Sequence, residues 1–161
     1  MPTGTELIKE LRDQTGAGIM ECKKALEDSG GDMGKATQLI RERGLAMAEK
    51  KKDREAGQGL IDSYIHAGRI GSLIELNCET DFVARTDDFK TLAREIAMQV
   101  AATNPTRISA SEASTDGDVP LLDQPYIRDP SRTIQELVNE TIAKVRENVV
   151  IRRFSRFELG G

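Results

Sequence analysis

The sequence predicts an α+β protein: an N-terminal three-helix bundle, a helical linker, then a small antiparallel sheet covered by helices. Three observations carry this reading. Residues 1–44 hold three short apolar stripes at helical spacing, parted by glycine turns. Residues 60–78 are two β-rich runs around a glycine-containing turn, a hairpin signal. Two amphipathic helices and a β-rich terminal run follow, and such a mixture builds a sheet with helices on one face.

The first helix is signalled by Thr3 and Glu6 at capping-box spacing and by the stripe Leu7, Ile8 and Leu11. Thr15-Gly16-Ala17-Gly18 breaks it. Ile19, Cys22, Ala25 and Leu26 mark the second helix, which stops at Gly30-Gly31. Asp32 caps a third, carrying Ala36, Leu39 and Ile40, with Gly44 beyond its last turn. Helices this short are unstable singly, so they must bury their stripes against one another. Residues 45–56 are good helix formers with dense charge and a weak apolar stripe, which suits an exposed helical linker ended by Gly57 and Gly59.

Residues 57–161 are expected to form the α+β core and dimerisation domain. Leu60 to His66 is the first strand and Ala67-Gly68-Arg69 the turn. In the second strand Ile70, Ser72, Ile74, Leu76 and Cys78 share one face, while Glu75 and Asn77 fall on the other, which is expected to be wet. Phe89, Leu92, Ala93, Ile96, Ala97 and Val100 hold helical spacing until Asn104-Pro105. Ser109 to Asp118 reads as a loop, and Gln124 to Ile127 as a short edge strand, since Pro125 excludes a central position. Asp129-Pro130 predicts a helix start, with Ile134, Leu137, Val138, Ile142 and Val145 on its buried face. Val149 to Phe157 is the last strand. A sheet of about three strands leaves edges and part of a face open to a partner or a second copy.

Composition narrows the chemistry. The 161 residues allow one domain or two small ones, and 38% hydrophobic with 31% charged residues suits a folded chain. With 4 Phe, 2 Tyr and no Trp, the core must be mainly aliphatic. A net charge of −4 disfavours a chain whose whole surface binds nucleic acid. Cys22, Cys78 and His66 are too few for a four-ligand zinc site, and no CxxC or HExxH occurs. The nucleophile signature GxSxG and the phosphate loop GxxxxGK[ST] are missing. Gly16-Ala17-Gly18 and Gly57-Gln58-Gly59 are too short for dinucleotide fingerprints. No cofactor and no covalent catalysis are expected. Without a signal-peptide pattern or an apolar run of roughly 18 residues, a cytoplasmic, non-membrane chain is expected.

Asp81-Phe82 is the most informative pair, because a carboxylate and an aromatic meet at a strand-to-helix junction, where scaffolds present functional groups. On chemistry alone the simpler reading makes Phe82 a core plug and Asp81 a turn cap. Lys23-Lys24 could grip an acidic partner, although a solvated helix face is the simpler reading, as it is for Lys50-Lys51-Lys52. Cys22 and Cys78 read as small buried hydrophobes, and His66 as a surface residue. Arg152, Arg153 and Arg156 interleave with Phe154 and Phe157, as an RNA-binding accessory protein would use them. The alternative is a terminal strand with Phe in the core and Arg at the rim.

Three runs together resemble the translation elongation factor Ts family: Leu11 to Leu26 (LRDQTGAGIMECKKAL), Glu75 to Arg85 (ELNCETDFVAR) and Glu147 to Arg153 (ENVVIRR). The Thr80-Asp81-Phe82-Val83-Ala84 run after Asn77-Cys78 is the most specific, the order and approximate spacing agree over most of the chain, and Glu21 replaces a commoner Asp. The resemblance implies a guanine-nucleotide exchange factor that binds elongation factor Tu, a GTPase, and speeds release of its GDP. It implies that residues 1–44 form a ubiquitin-associated-type bundle docking on the GTPase domain, with Lys23 a contact. Thr80, Asp81, Phe82 and Val83 would act in dislodging Mg²⁺ from Tu, with Phe82 wedged between its helices, contrary to the core-plug reading. Longer members carry a second core subdomain. Here Asn104 to Pro120 is a short polar loop, and short forms of the family are expected to compensate by forming homodimers through the sheet.

Overall fold

A computed structural model describes residues 4–113 and 117–161. Thr3, half of the capping box expected above, lies outside the described residues.

Three helices form the N-terminal bundle: α1 (Gly4–Thr15), α2 (Ile19–Asp28) and α3 (Met33–Lys51). Leu11, Ala17, Cys22, Ala25, Leu26, Ala36 and Ile40 make their common core. Thr15 closes α1: its hydroxyl donates to Leu11 O (2.7 Å) and accepts from Ala17 N (3.2 Å). The Asp32 side chain accepts from Lys35 N (3.0 Å) and starts α3.

The third helix does not end before Gly44. It runs on to Lys51, through most of the segment expected to be an exposed linker. Gly44 is buried in the helix, where a Cβ would sit 3.8 Å from the Asn139 carbonyl oxygen. Close packing on a later helix, α6 (Ile134–Val145), therefore overrides glycine's weak helix propensity. Met47 and Ala48 are half-buried against the main core, so α3 joins the two cores instead of hanging between them.

Four elements follow α3 and its exit: strands β1 (Gln58–His66) and β2 (Ile70–Cys78), then helices α4 (Asp81–Ala84) and α5 (Asp87–Thr103). A two-stranded ribbon, β3 (Pro125–Tyr126) and β4 (Asp129–Thr133), leads into α6, and β5 (Val150–Glu158) ends the fold. The main sheet is antiparallel, in the order β1-β2-β5. The short strand at Pro125 pairs with β4, not with this sheet.

Asp129-Pro130 starts a strand, not a helix, because the Asp129 carboxylate is already engaged by Ser131 N, Ser131 Oγ and Arg132 Nε. The helix begins four residues later, where the Thr133 hydroxyl accepts from Glu136 N (3.2 Å).

The main core lies between the sheet and α5 and α6. Ile74, Leu76 and Cys78 meet Phe89, Leu92, Ile96 and Val100 from α5, and Ile134, Val138 and Ile142 from α6. Two buried polar side chains inside it, Ser72 and Gln99, are paired. Ser72 Oγ donates to Ala97 O (2.6 Å), and buried Gln99 donates to Gln124 Oε1 (3.0 Å) while accepting from Ile127 N (3.0 Å). The opposite face of the sheet is open, as expected, and mixes the Glu75–Arg153 ion pair with exposed apolar side chains, but Asn77, expected to be wet, is buried at the end of the strand. Register places Ser63, Leu73 and Ser155 in one row and Ile65, Gly71 and Phe157 in the next. Ile61, Ile65, Leu73 and Phe157 are all exposed there.

Candidate functional site

The junction between β2 and α5 is a single helical turn held at both ends by threonine. Thr80 leaves the strand in an extended conformation, and its hydroxyl accepts from Val83 N (3.4 Å) to cap α4. Thr86 does the same for α5: its hydroxyl accepts from Phe89 N (3.3 Å) and donates to Val83 O (2.7 Å). Val83 packs on the main core and Ala84 is buried.

With its neighbours anchored inward, the remaining residues of the turn point out. Phe82 is 77% exposed, so it is no core plug. Asp81 is not the cap, a role Thr80 fills. It pairs with Arg85 across one turn (3.2 Å), at the surface. The ring is therefore presented to solvent on a base whose other apolar residues are anchored in the core.

Sequence reasoning missed the group that fixes this turn from the other side. The Glu147 carboxylate follows α6 and accepts from Glu79 N (3.2 Å), Thr80 N (3.0 Å) and Thr80 Oγ1 (2.7 Å). Glu79 answers in kind: its carboxylate accepts from Asn148 N (3.1 Å) and pairs with Arg54 (3.5 Å). The Asn148 side chain donates to Lys52 O (3.3 Å) and Arg54 O (2.8 Å), tying in the exit of α3. The only signal was that Glu147-Asn148 stands in one of the three resembling runs.

Cys78 lies beneath the turn, fully buried, and its thiol donates to Thr80 O (3.1 Å). Burial, with the Glu147 carboxylate nearby, pushes this thiol up to about 11. Burial also raises the Cys22 thiol in the bundle core.

Lys23 is exposed on α2, one helical turn from exposed Ile19 and Met20. It lines a broad groove between the bundle and α6, with Met20, Arg43 and Lys144. Thr80 to Val83 do not line this groove, so Lys23 and the turn are two separate features.

The terminal Arg/Phe strand is not a free stacking platform. Arg152 donates to Ala56 O, Arg153 pairs with Glu75, and Arg156 donates to Ala101 O. Phe154 packs on the main core, and only Phe157 of the pair is exposed. His66 is at the surface, 3.0 Å from Tyr64 Oη. Among the described residues no cluster of three or more His, Cys, Asp or Glu could hold a metal ion, and no helix is long and apolar enough to cross a membrane.

The family model described as Elongation factor TS matches residues 35–117, a stretch that contains the whole β2–α4 junction. Elongation factor Ts of Thermodesulfovibrio yellowstonii is 44% identical over 194 residues, covering 99% of this chain and 98% of the relative. The chain belongs to the elongation factor Ts family. Elongation factor Ts of Thermoanaerobacter sp. (strain X514) is 48% identical, covering 96% of this chain and 94% of the relative. That of Coprothermobacter proteolyticus is 46% identical over 196 residues, covering 99% and 100%. These alignments are longer than the 161 residues of this chain, so the elongation factor Ts relatives carry stretches that it lacks. Membership places the chain among the translation elongation factors, in protein biosynthesis.

Proposed function

We propose that this chain is the guanine-nucleotide exchange factor of elongation factor Tu. It binds the GDP-bound GTPase and promotes exchange of GDP for GTP, with no covalent step and no cofactor of its own. The observation that carries the reading is Phe82, exposed on a turn whose other apolar residues are anchored in the core.

GDP is held on such a GTPase by backbone donors around its phosphates and by a bridging Mg²⁺. A factor speeds its release by binding the nucleotide-free conformer better than the GDP-bound one, and that coupling is reciprocal. Weakening GDP about 1,000-fold takes about 4 kcal/mol of differential binding. Burying one aromatic ring supplies roughly 1.5–3 kcal/mol. The shift that Phe82, Asp81 and their turn impose on the helices around the Mg²⁺ supplies the rest.

In this reading residues 1–44 act as a ubiquitin-associated-type anchor, with Lys23 touching the GTPase domain. The engaged arginines of β5 argue against the other reading, an RNA-binding accessory protein. The open sheet face serves a homodimer: exposed Ile65, Leu73 and Phe157 stand in adjacent rows of the sheet, where a second copy would cover them. Release of a fluorescent GDP from purified elongation factor Tu tests the reading. Substoichiometric amounts of this chain should accelerate release, and release at the spontaneous rate would refute it.

A further inference from the structure

We infer that Glu147 is the positioning residue of the Thr80–Val83 turn, an inference that rests on the exchange reading above and extends it to a residue distant in sequence. Helix α4 has four residues and no stability of its own. Phe82 is exposed and does nothing to hold it. A wedge transmits force only if its base is fixed before contact, since a loose turn loses ordering entropy on binding.

The base is fixed by one carboxylate with three donors. Glu147 Oε1 takes two consecutive backbone N–H groups, of Glu79 and Thr80, and Oε2 takes the Thr80 hydroxyl. Charge-assisted bonds of this kind are about twice as strong as neutral ones. The Thr80 hydroxyl proton is thereby directed at Glu147, which leaves its lone pairs for Val83 N. The same carboxylate thus fixes both the approach to the turn and its cap. The reciprocal bond from Asn148 N to Glu79 and the Asn148 contacts to residues 52 and 54 anchor the clamp to the rest of the molecule.

Side-chain chemistry makes the assignment specific. Glutamine keeps an oxygen for the two N–H groups but puts an amide nitrogen where the Thr80 hydroxyl must donate. Alanine removes all three acceptors.

The test uses the full chain as wild type, Glu147→Gln, Glu147→Ala, Phe82→Ala and the Glu147→Ala/Phe82→Ala double variant. Two measurements are made: amide hydrogen exchange in the free protein, and release of fluorescent GDP from elongation factor Tu at saturating factor. In Glu147→Ala, exchange at the Glu79 and Thr80 amides should rise at least about tenfold, with Glu147→Gln intermediate and the β1–β2 amides unchanged. The saturating GDP-release rate should fall about tenfold while the half-saturating concentration moves less than about threefold. The double variant should be no slower than Phe82→Ala alone, because Glu147 acts only through the turn that carries the ring.

Unchanged Glu79 and Thr80 amides would overturn the clamp. So would β1–β2 amides that loosen in both Glu147 variants, or a double variant slower than either single one, since these mark a merely structural residue. The amide readout needs no partner. If the wild type itself fails to release GDP, the exchange reading fails, and the amides still decide whether Glu147 holds the turn.

Discussion

Thr80 Oγ1 lies 2.7 Å from Glu147 Oε2, joining residues 67 positions apart. This bond closes the fold on itself at the base of the turn that carries Phe82. It links the end of the second strand to the α6–β5 connection. Asn148, next to Glu147, links both to the exit of the long third helix. The turn is therefore tied to the second strand, to the α6–β5 connection and to the exit of the third helix.

Phe82→Ala should lower the GDP-release rate by roughly 10–100-fold, the kinetic equivalent of losing one buried aromatic ring at a contact. Its folding free energy should stay within about 0.5 kcal/mol of wild type, because the ring is 77% exposed. Denaturant unfolding beside an exchange assay checks both. A large loss of stability would return Phe82 to the core.

Gly59→Ala should destabilise the fold by about 2–4 kcal/mol. Gly59 has φ +146, and a Cβ there would lie 2.0 Å from the Leu76 carbonyl oxygen across the β1–β2 pair. Thermal unfolding measures the cost. A variant as stable as wild type would contradict the close approach.

The fold is legible where one residue pattern has one local solution. Asp32 before an apolar stripe caps a helix, and Phe89 to Val100 at helical spacing can only be a half-buried helix. Prediction failed where distant contacts decide. Gly44 looks like a stop until Asn139 is packed against it. Asp129-Pro130 looks like a start until the Asp129 carboxylate is taken by Ser131 and Arg132. The site divides the same way. Thr80 to Val83 are found by their motif, but a four-residue helix has no periodicity, so only the structure says which way Phe82 points. The acceptor Glu147 is hidden by its separation along the chain.

Both cysteines should resist thiol reagents in the folded protein. Cys22 and Cys78 are buried, and both thiols are raised by that burial, so little thiolate exists at pH 8. Ellman's reagent should find no thiol in native protein and two per chain in denaturant. The sign for stability follows from Cys78, raised from 9.0 to about 11. The folded state keeps a proton that the unfolded chain has lost, so this contribution is complete below about pH 9 and is lost as pH rises toward about 11. Cys78→Ala should show a shallower alkaline loss of stability than wild type over that window.

Lys23→Glu should weaken association with elongation factor Tu and leave the release rate at saturation near wild type. An exposed charge at an interface acts mainly on the association rate, with an effect that shrinks as salt screens it. Titrations at low and high ionic strength check this. A drop in the saturating rate would give the bundle a direct part in displacing the nucleotide.

Wild type should sediment as a homodimer and Leu73→Lys as a 17.7 kDa monomer, since the substitution places a charge in the middle strand of the open face. Sedimentation equilibrium of wild type and variant reads this directly. Wild type found only as monomer at micromolar concentration would leave the open face without a second copy.

In the proposed exchange reaction the exposed turn favours elongation factor Tu without nucleotide. The most direct measurement is the affinity of this chain for nucleotide-free and for GDP-bound elongation factor Tu under the same conditions. Binding to the nucleotide-free form should be about 1,000-fold tighter, about 4 kcal/mol, with roughly 10–100-fold of that difference lost in Phe82→Ala. Equal affinity for the two forms would contradict it, however tightly the chain binds either one.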